Sequence, residues 1–372
     1  MRDIKALQTV QLKAIELPEF NEIRGKSWIS FGPKNLFPEV LIDLYQSSAV
    51  HHTCVNAKSD ALSGEGFDMI GTEIVNTQGE TLNEILESVA VDFVLFGTYA
   101  LNVIWNRAGD RVAEMYHLPV ANVRSGKMNE EDVVEEFYYS NHWANTRKYE
   151  PKRYASYSMT DNKGDNASQI FYYHPYTPGA DVYGLPDYQA ALNDIELDKR
   201  ISRFHNSQID QGMFPGLFIT LTNGEATPEE RNLIYRDLEQ SFSGADRAGK
   251  LFLSFVDSPD RKPIIETIDQ ANDDYYVILQ DRIMNAITTA HRITSTRLIG
   301  INDASGFSNN SDEIKTAYAH FLSTVIEPMQ KQVAKSMQKV VRAYGINVDL
   351  KIKPSKLSFT DTVQQQPNTP TV

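Results

Sequence analysis

The stretch Tyr183-Gly184-Leu185-Pro186-Asp187 opens a helical run from Pro186 to Gln211, and Phe214-Pro215-Gly216-Leu217-Phe218-Ile219-Thr220-Leu221 follows it as an apolar strand closed by Asn223-Gly224. Tyr188, Leu192 and Ile195 fall on one face of that helix, and Leu197, Ile201 and Phe204 on a neighbouring one. Next, Thr227-Pro228-Glu229-Glu230 combines an N-cap, a first-turn proline and a capping-box glutamate, so a helix is expected to run to about Phe242 and stop at Gly244. Leu251-Phe252-Leu253-Ser254-Phe255 reads as a second strand before a Pro259/Pro263 loop. A second long helix spans Asn272 to Thr294, with Tyr276, Leu279, Ile283, Ile287 and Ala290 as its i, i+3, i+4 stripe. A strand–helix–strand unit between two long helices has the form of an insertion.

Upstream, residues 1–35 read as an irregular arm with strand character that ends in Trp28-Ile29-Ser30-Phe31-Gly32-Pro33. Phe37 to Leu62 reads as one helix, with Pro38 in its first turn and Ser63-Gly64-Glu65-Gly66 as its stop. Leu82 to Phe96 is a second helix whose stripe is Ile85, Leu86, Val89, Phe93 and Phe96, broken by Gly97. Tyr99 to Trp105 and Val112 to Leu118 read as strands around a Gly109-Asp110 turn. Residues 125–170 are weakly periodic; Glu136 to Tyr139 and Ile170 to Tyr173 suggest an antiparallel patch. Downstream, Ser295 to Ser311 is rich in Gly, Ser, Asn and Asp. A final helix is expected from Asp312 to about Tyr344, kinked at Pro328, and a flexible Gln-, Thr- and Pro-rich tail after Lys353.

The 372 residues carry a formal net charge of -13, the opposite of a chain that grips nucleic acid through its phosphates. An acidic wall would repel DNA and let it slide. With 41% hydrophobic and 23% charged residues the balance is globular. One cysteine, Cys54, excludes an internal disulfide and a multi-cysteine zinc site. The first residues lack a signal-peptide core, and no stretch approaches the roughly 18 apolar residues of a membrane span. These readings point to a soluble protein made in a reducing compartment, with no membrane partner.

The motifs that suggest chemistry do not carry it. Gly25-Lys26-Ser27 would end a phosphate loop only with a glycine five residues earlier, where Phe20 stands. Gly64-Glu65-Gly66 follows a helix rather than a strand and reads as its stop. His51-His52 near Cys54 diverge by about 100° on a helix, so they read as core or surface histidines and not as metal ligands. Glu130-Glu131, Glu135-Glu136 and Asp273-Asp274 diverge likewise and read as solvated faces. Asp273, Asp274 and Asp281 flank the apolar stripe of the second long helix and would face solvent in a monomer or a water-filled pore in a ring. Lys331, Lys335, Lys339 and Arg342 make the last helix basic toward its C-terminal end, as its dipole favours. No cofactor, metal or catalytic residue is indicated.

The Tyr-Gly-Leu-Pro entry to a long helix, with the apolar strand and Asn-Gly turn after it, resembles the centre of tailed-phage portal proteins of the HK97 type. Ala290-His291-Arg292-Ile293-Thr294-Ser295-Thr296-Arg297-Leu298-Ile299-Gly300-Ile301, then Ser308-Asn309-Asn310-Ser311-Asp312-Glu313, is similar to the portal pattern in which a stem helix ends, crosses a loop and restarts. Phe321 to Gln330, with Pro328 inside, is similar to the helix that follows it, and Gly97-Thr98-Tyr99-Ala100-Leu101 agrees more loosely. The resemblance implies an α+β portal fold. Residues 1–186 would form an α/β wing, 187–212 and 268–294 two stem helices, and 213–265 a strand–helix–strand clip between them. Residues 295–311 would be a tunnel loop, 312–353 the helices from wing to short crown, and 354–372 a flexible tail.

Function would then follow from assembly, with no enzyme activity. The resemblance implies a homo-oligomeric ring of about twelve subunits closed by head-to-tail contacts. Such a ring sits at one vertex of the virion capsid after assembly in the host cytoplasm, and contacts the major capsid protein. Double-stranded DNA passes through it, in during packaging and out during ejection, without sequence-specific binding. The clip meets the terminase first and the head–tail adaptor later, and Phe214, Glu229, Arg236 and Lys250 are its candidate contacts. Asp273, Asp274 and Asp281 are candidates for the channel wall, and Ser295, Arg297, Asn302 and Asp303 for its constriction. The competing readings are a metal-dependent DNA-processing enzyme such as a nuclease, using one of the acidic clusters, and another ring-forming virion component such as an adaptor.

Overall fold

The computed structural model describes positions 18, 20, 22, 25–210, 218–221, 227, 229, 233, 252–255, 273–299 and 311–355. The chain forms two compact units, one of Met1–Leu192 with Ile287–Val372 and one of Asn193–Ala286.

The larger unit begins with two helices where the sequence suggests one. α1 covers Phe37–Ser47 and α2 Ala49–Ser63, because Ser48 is extended and its side chain accepts the His51 backbone N–H as an N-cap. The apolar spacing runs across this break and hides it. α3, Leu82–Phe96, matches its reading at both ends. Thr81 and Glu84 form a reciprocal capping box, and Gly97 takes the left-handed conformation that ends the helix.

Six strands follow, β1 Tyr99–Trp105, β2 Val112–Leu118, β3 Val123–Ser125, β4 Glu136–Tyr139, β5 Lys152–Ser156 and β6 Ser168–Tyr173. They make one sheet in the order β2-β1-β6-β5-β4-β3. Every neighbouring pair is antiparallel except β5 and β6. Side chains alternate between the faces. Ala100, Ile170, Phe137 and Val123 form a core on one side. On the other, Tyr99 lies edge-on to Phe93 of α3 at 6.3 Å between ring centres. β4 and β6 thus share a sheet as expected, but β5 stands between them.

The N-terminal arm is tied to the far edge of this sheet. Ile29 N–H donates to Ser125 O, and Trp28 pairs with Gly126. Arg124, fully buried, donates from Nε to Asn35 Oδ1 (2.6 Å), from its terminal nitrogens to the carbonyls of Asn35, Ala121 and Val123, and lies over the Trp143 ring at 4.8 Å. A buried guanidinium is tolerated only when its donors are met in this way.

After the smaller unit the chain returns through a turn of 3-10 helix at Thr296–Ile299. The helices α4, Leu192–Asp210, and α5, Asp273–Ala290, precede this turn in the chain; α6, Ser311–Phe321, and α7, Glu327–Tyr344, follow it. The helix expected from Asp312 is interrupted by a π-helical segment, Leu322–Ile326, so the irregularity precedes Pro328, which sits harmlessly in the first turn of α7. α7 packs on β2 and buries Val333, Met337, Val340 and Val341. Its Ser336 Oγ meets Tyr99 Oη at 2.6 Å.

In the smaller unit α4 is Leu192–Asp210, entered through a 3-10 turn at Gln189–Ala191 rather than at Pro186. α5 is Asp273–Ala290, crossing into the larger unit at Ile287. β7, Phe218–Leu221, pairs with β8, Phe252–Phe255, in parallel. Parallel neighbours need a crossover connection, as a strand–helix–strand unit supplies.

Candidate functional site

The chain leaves the larger unit at Leu192 and returns at Ile287. On the larger unit, residues that stand out in the sequence lie beside both passages. Tyr183 stacks on Phe31 at 4.0 Å, and its Oη accepts from Ser125 N–H and donates to Ile29 O. Gly184 and Gly97 pass each other closely. A Cβ on Gly97 would lie 2.1 Å from Leu185 O, and one on Gly184 2.5 Å from Gly97 O, so neither position admits a side chain. Tyr188 Oη donates to Leu95 O, the last turn of α3. The Tyr-Gly-Leu-Pro-Asp motif therefore anchors this stretch of chain within the larger unit.

Asp187 and Tyr188 also join a buried polar cluster. Lys58 of α2 is fully buried, and its Nζ lies 2.5 Å from Asp187 Oδ2, on a side chain 36% exposed. Two turns earlier, His51 Nδ1 meets His291 Nε2 at 2.9 Å. Tyr188 stacks on His291 at 4.7 Å and lies edge-on to His51 at 4.6 Å. His51 Nε2 and His291 Nδ1 are buried without a hydrogen-bond partner. Burial pushes His51 down from 6.5 to about 3, helped by His52 and Lys58. Burial likewise holds His291 well below the ordinary histidine range, with Lys58 and His51 adding to it. Both rings are neutral at pH 7. Cys54, three residues after His51 on α2, is buried and its thiol is pushed up to about 12 by that burial, so it supplies no thiolate. His52, by contrast, is exposed and stacks on Tyr45.

α5 ends four residues before the expected Thr294 because Arg292 takes φ 58, a left-handed cap. Ile293 N–H and Arg292 N–H return to Thr288 O and Thr289 O. The Arg292 guanidinium donates to Thr324 O in the π-helical segment, and Thr294 Oγ1 donates to Ala317 O of α6. The two flanks of residues 300–310 are thereby tied to each other.

The candidate residues fall unevenly on this frame. Asp281 is exposed on α5, and its i−3 and i−4 neighbours Ile278 and Val277 are 67% and 57% exposed, so its face is partly apolar. Asp273 and Asp274 form the first turn of α5. Ser295 and Arg297 are half-buried beside the return, Arg297 within the 3-10 turn. Glu229 is exposed and helical. Asn302, Asp303, Phe214, Arg236 and Lys250 lie outside the described residues. Reading the sequence misses Lys58–Asp187, His51–His291 and Arg292–Thr324, whose partners are 129, 240 and 32 residues apart and share no local pattern. Among the described residues no three His, Cys, Asp or Glu side chains group as metal ligands, and no helix is long and apolar enough to cross a membrane.

Comparison with known proteins gives a consistent family. Residues 77–367 match the phage portal protein family. A probable portal protein of Haemophilus phage HP1 (strain HP1c1) is 25% identical over 146 residues, covering 37% of this chain and 42% of that protein, so the chain spans about two-fifths of the length of this curated relative. Two solved structures share the fold. A chain of the virion of the native gene transfer agent particle aligns with a TM-score of 0.54 at 16% identity, covering 85% of this chain and 83% of its own. One from the neck of the native particle, with C12 symmetry, aligns with a TM-score of 0.53 at 16% identity, covering 89% and 86%. The α+β fold, the absence of an enzymatic role in this structural family and the family match over most of the sequence agree: the chain belongs to the phage portal protein family.

Proposed function

We propose that this protein forms a ring-shaped channel at one vertex of a virion, through which double-stranded DNA enters during terminase-driven packaging and leaves during ejection. The observation that carries the assembly is the outward face of α5. Val277 and Ile278 expose most of their surface on a helix whose other stripe, Ile283 and Ile287, is already buried. An exposed apolar face on a helix asks for a partner. A copy of the same helix in a neighbouring subunit supplies one, and head-to-tail repetition closes a ring. The twelvefold symmetry of the gene transfer agent neck supports about twelve subunits here.

In this reading α4 and α5 are the stem, residues 213–265 the clip, and 295–311 the tunnel loop. Asp281, beside the apolar face, borders the lumen together with Asp273 and Asp274. Ser295, Arg297, Asn302 and Asp303 lie toward the constriction. The net charge of -13 suits a conduit, because a wall that neutralises no phosphates releases no counterions and provides no sticky contacts. Phe214, Glu229, Arg236 and Lys250 of the clip meet the terminase and then the head–tail adaptor. The larger unit meets the major capsid protein.

Negative-stain electron microscopy of the purified protein tests the reading. Rings with a central opening and a rotational symmetry near twelve support it. A monomer at all concentrations, combined with magnesium-dependent cleavage of DNA, refutes it in favour of a nuclease.

A further inference from the structure

The chain is acidic, but α7 is not. Lys331, Lys335 and Lys339 recur every four residues and Arg342 follows, so one row of cations climbs the exposed side of the helix at about 6 Å per step. Residues 349–354 run alongside, and a cavity of about 750 Å³ opens between them. Its floor is apolar, made by Ala334, Leu350 and Ile352. Lys331 pairs with Glu327 and Arg342 with Asp349. Lys335 and Lys339 are exposed and, among the described residues, have no carboxylate within ion-pair distance; Lys351 is exposed too, with Asp68 close enough to feel its charge. A groove with an apolar floor, two unpaired ammonium groups and a third at its edge selects a segment whose carboxylates flank an apolar side chain.

The chain itself carries such a segment. The turn between β3 and β4 reads Glu130-Glu131-Asp132-Val133, with all three carboxylates exposed and, among the described residues, unpaired with any cation. Val133 is 50% exposed at its end. The turn is preformed. Asn129 Oδ1 accepts from the N–H groups of Glu131 and Val133, Asp132 takes φ 57, and Met128 pairs with Val134 across the base. Binding such a turn therefore costs little ordering entropy.

We propose that the groove between α7 and residues 349–354 seats the Glu130–Val133 turn of a second copy of this chain. Carboxylates meet Lys335, Lys339 and Lys351, and Val133 covers the apolar floor. The inference rests on the ring reading and names one of its contacts. Groove and turn are different surfaces, as a head-to-tail interface requires. Nucleic acid would satisfy the ammonium row but would make no use of the groove's apolar lining.

Sedimentation velocity on charge-swapped full chains tests it. Variant K335E/K339E/K351E and variant E130K/E131K/D132K should each lose at least about tenfold in association constant while keeping wild-type circular dichroism and melting. Mixed one to one they should assemble again, since each groove then finds a complementary turn, and the chain carrying all six substitutions should assemble alone. Rings that form from either variant as from wild type overturn the inference and leave the ring reading standing. Losses that neither mixing nor combination restores also overturn it, as does a groove variant that assembles normally yet no longer binds a 30-base-pair duplex. A wild-type chain that stays monomeric throughout removes the ring reading, and this contact with it.

Discussion

Acidification should weaken the larger unit because unfolding lets His51 and His291 take protons that the fold refuses. The two rings lie 2.9 Å apart in the core, with fully buried Lys58 near and with their outer nitrogens unpartnered. His51 has its pKa depressed from 6.5 to about 3. A depressed histidine contributes stability that is fully present above pH 6.5 and is lost as pH falls from there toward 3, because the unfolded chain binds the extra proton. At pH 5 the gap of one and a half units makes this loss about 2 kcal/mol for His51 alone. His291 acts in the same direction. Other groups face the pair or press on it: Lys58, His52 and Tyr188, with Asp187 partnering Lys58. The assay is urea unfolding at pH 8 and pH 5 followed by tryptophan fluorescence. Trp28, Trp105 and Trp143 all belong to the larger unit, so the signal reports that unit. In H51Q/H291Q the difference between the two pH values should shrink by about 2 kcal/mol or more. An unchanged difference would refute the reasoning, whatever the double variant does to stability at pH 8.

Four further outcomes follow from the same frame. Replacing Asp187 by Ala strands a buried ammonium and should cost about 3–5 kcal/mol, whereas Lys58→Met leaves only a part-exposed carboxylate and should cost clearly less in the same urea titration. Gly97→Ala should lower stability by several kcal/mol or prevent folding, since its Cβ would strike Leu185 O in a backbone of φ 73. Arg292→Gly should be about 1 kcal/mol more stable than Arg292→Ala, because both lose the bond to Thr324 O but only alanine keeps the left-handed strain. Charge reversal at Asp273, Asp274 and Asp281 together should slow DNA translocation in a packaging assay, and unchanged packaging would remove them from the channel wall.

What the sequence makes legible is what local chemistry controls. α3 is bounded by a Thr81–Glu84 box and a glycine stop, so both ends can be read. β1 and β2 announce themselves by alternation around Gly109-Asp110. β3 has three residues and β5 sits at the surface with little alternation, so neither carries a period. The α1–α2 break depends on a single serine cap inside a continuous apolar pattern. Of the candidate site, the Tyr-Gly-Leu-Pro-Asp signature could be seen, but its physical content could not. The glycine crossing at Gly97 and the lysine partner at position 58 are tertiary facts. His51 could be read as a core histidine, yet its partner 240 residues away was beyond any window.

The insertion of Asn193–Ala286 into the larger unit sets an order on synthesis. A ribosome adding about 5–20 residues each second needs on the order of 12–48 s to travel from His51 to His291. From residue 173 onward the helices α1 to α3 and the whole six-stranded sheet are present without α7, which packs on α2 and β2. Tyr99 waits for Ser336, and Leu62 O for the side chain of Gln330. The nascent chain thus carries a half-built core in which α2, β1 and β2 lack their α7 contacts. The smaller unit is complete before that core closes. Chaperone dependence during translation should therefore fall sharply once residues beyond 344 have left the exit tunnel.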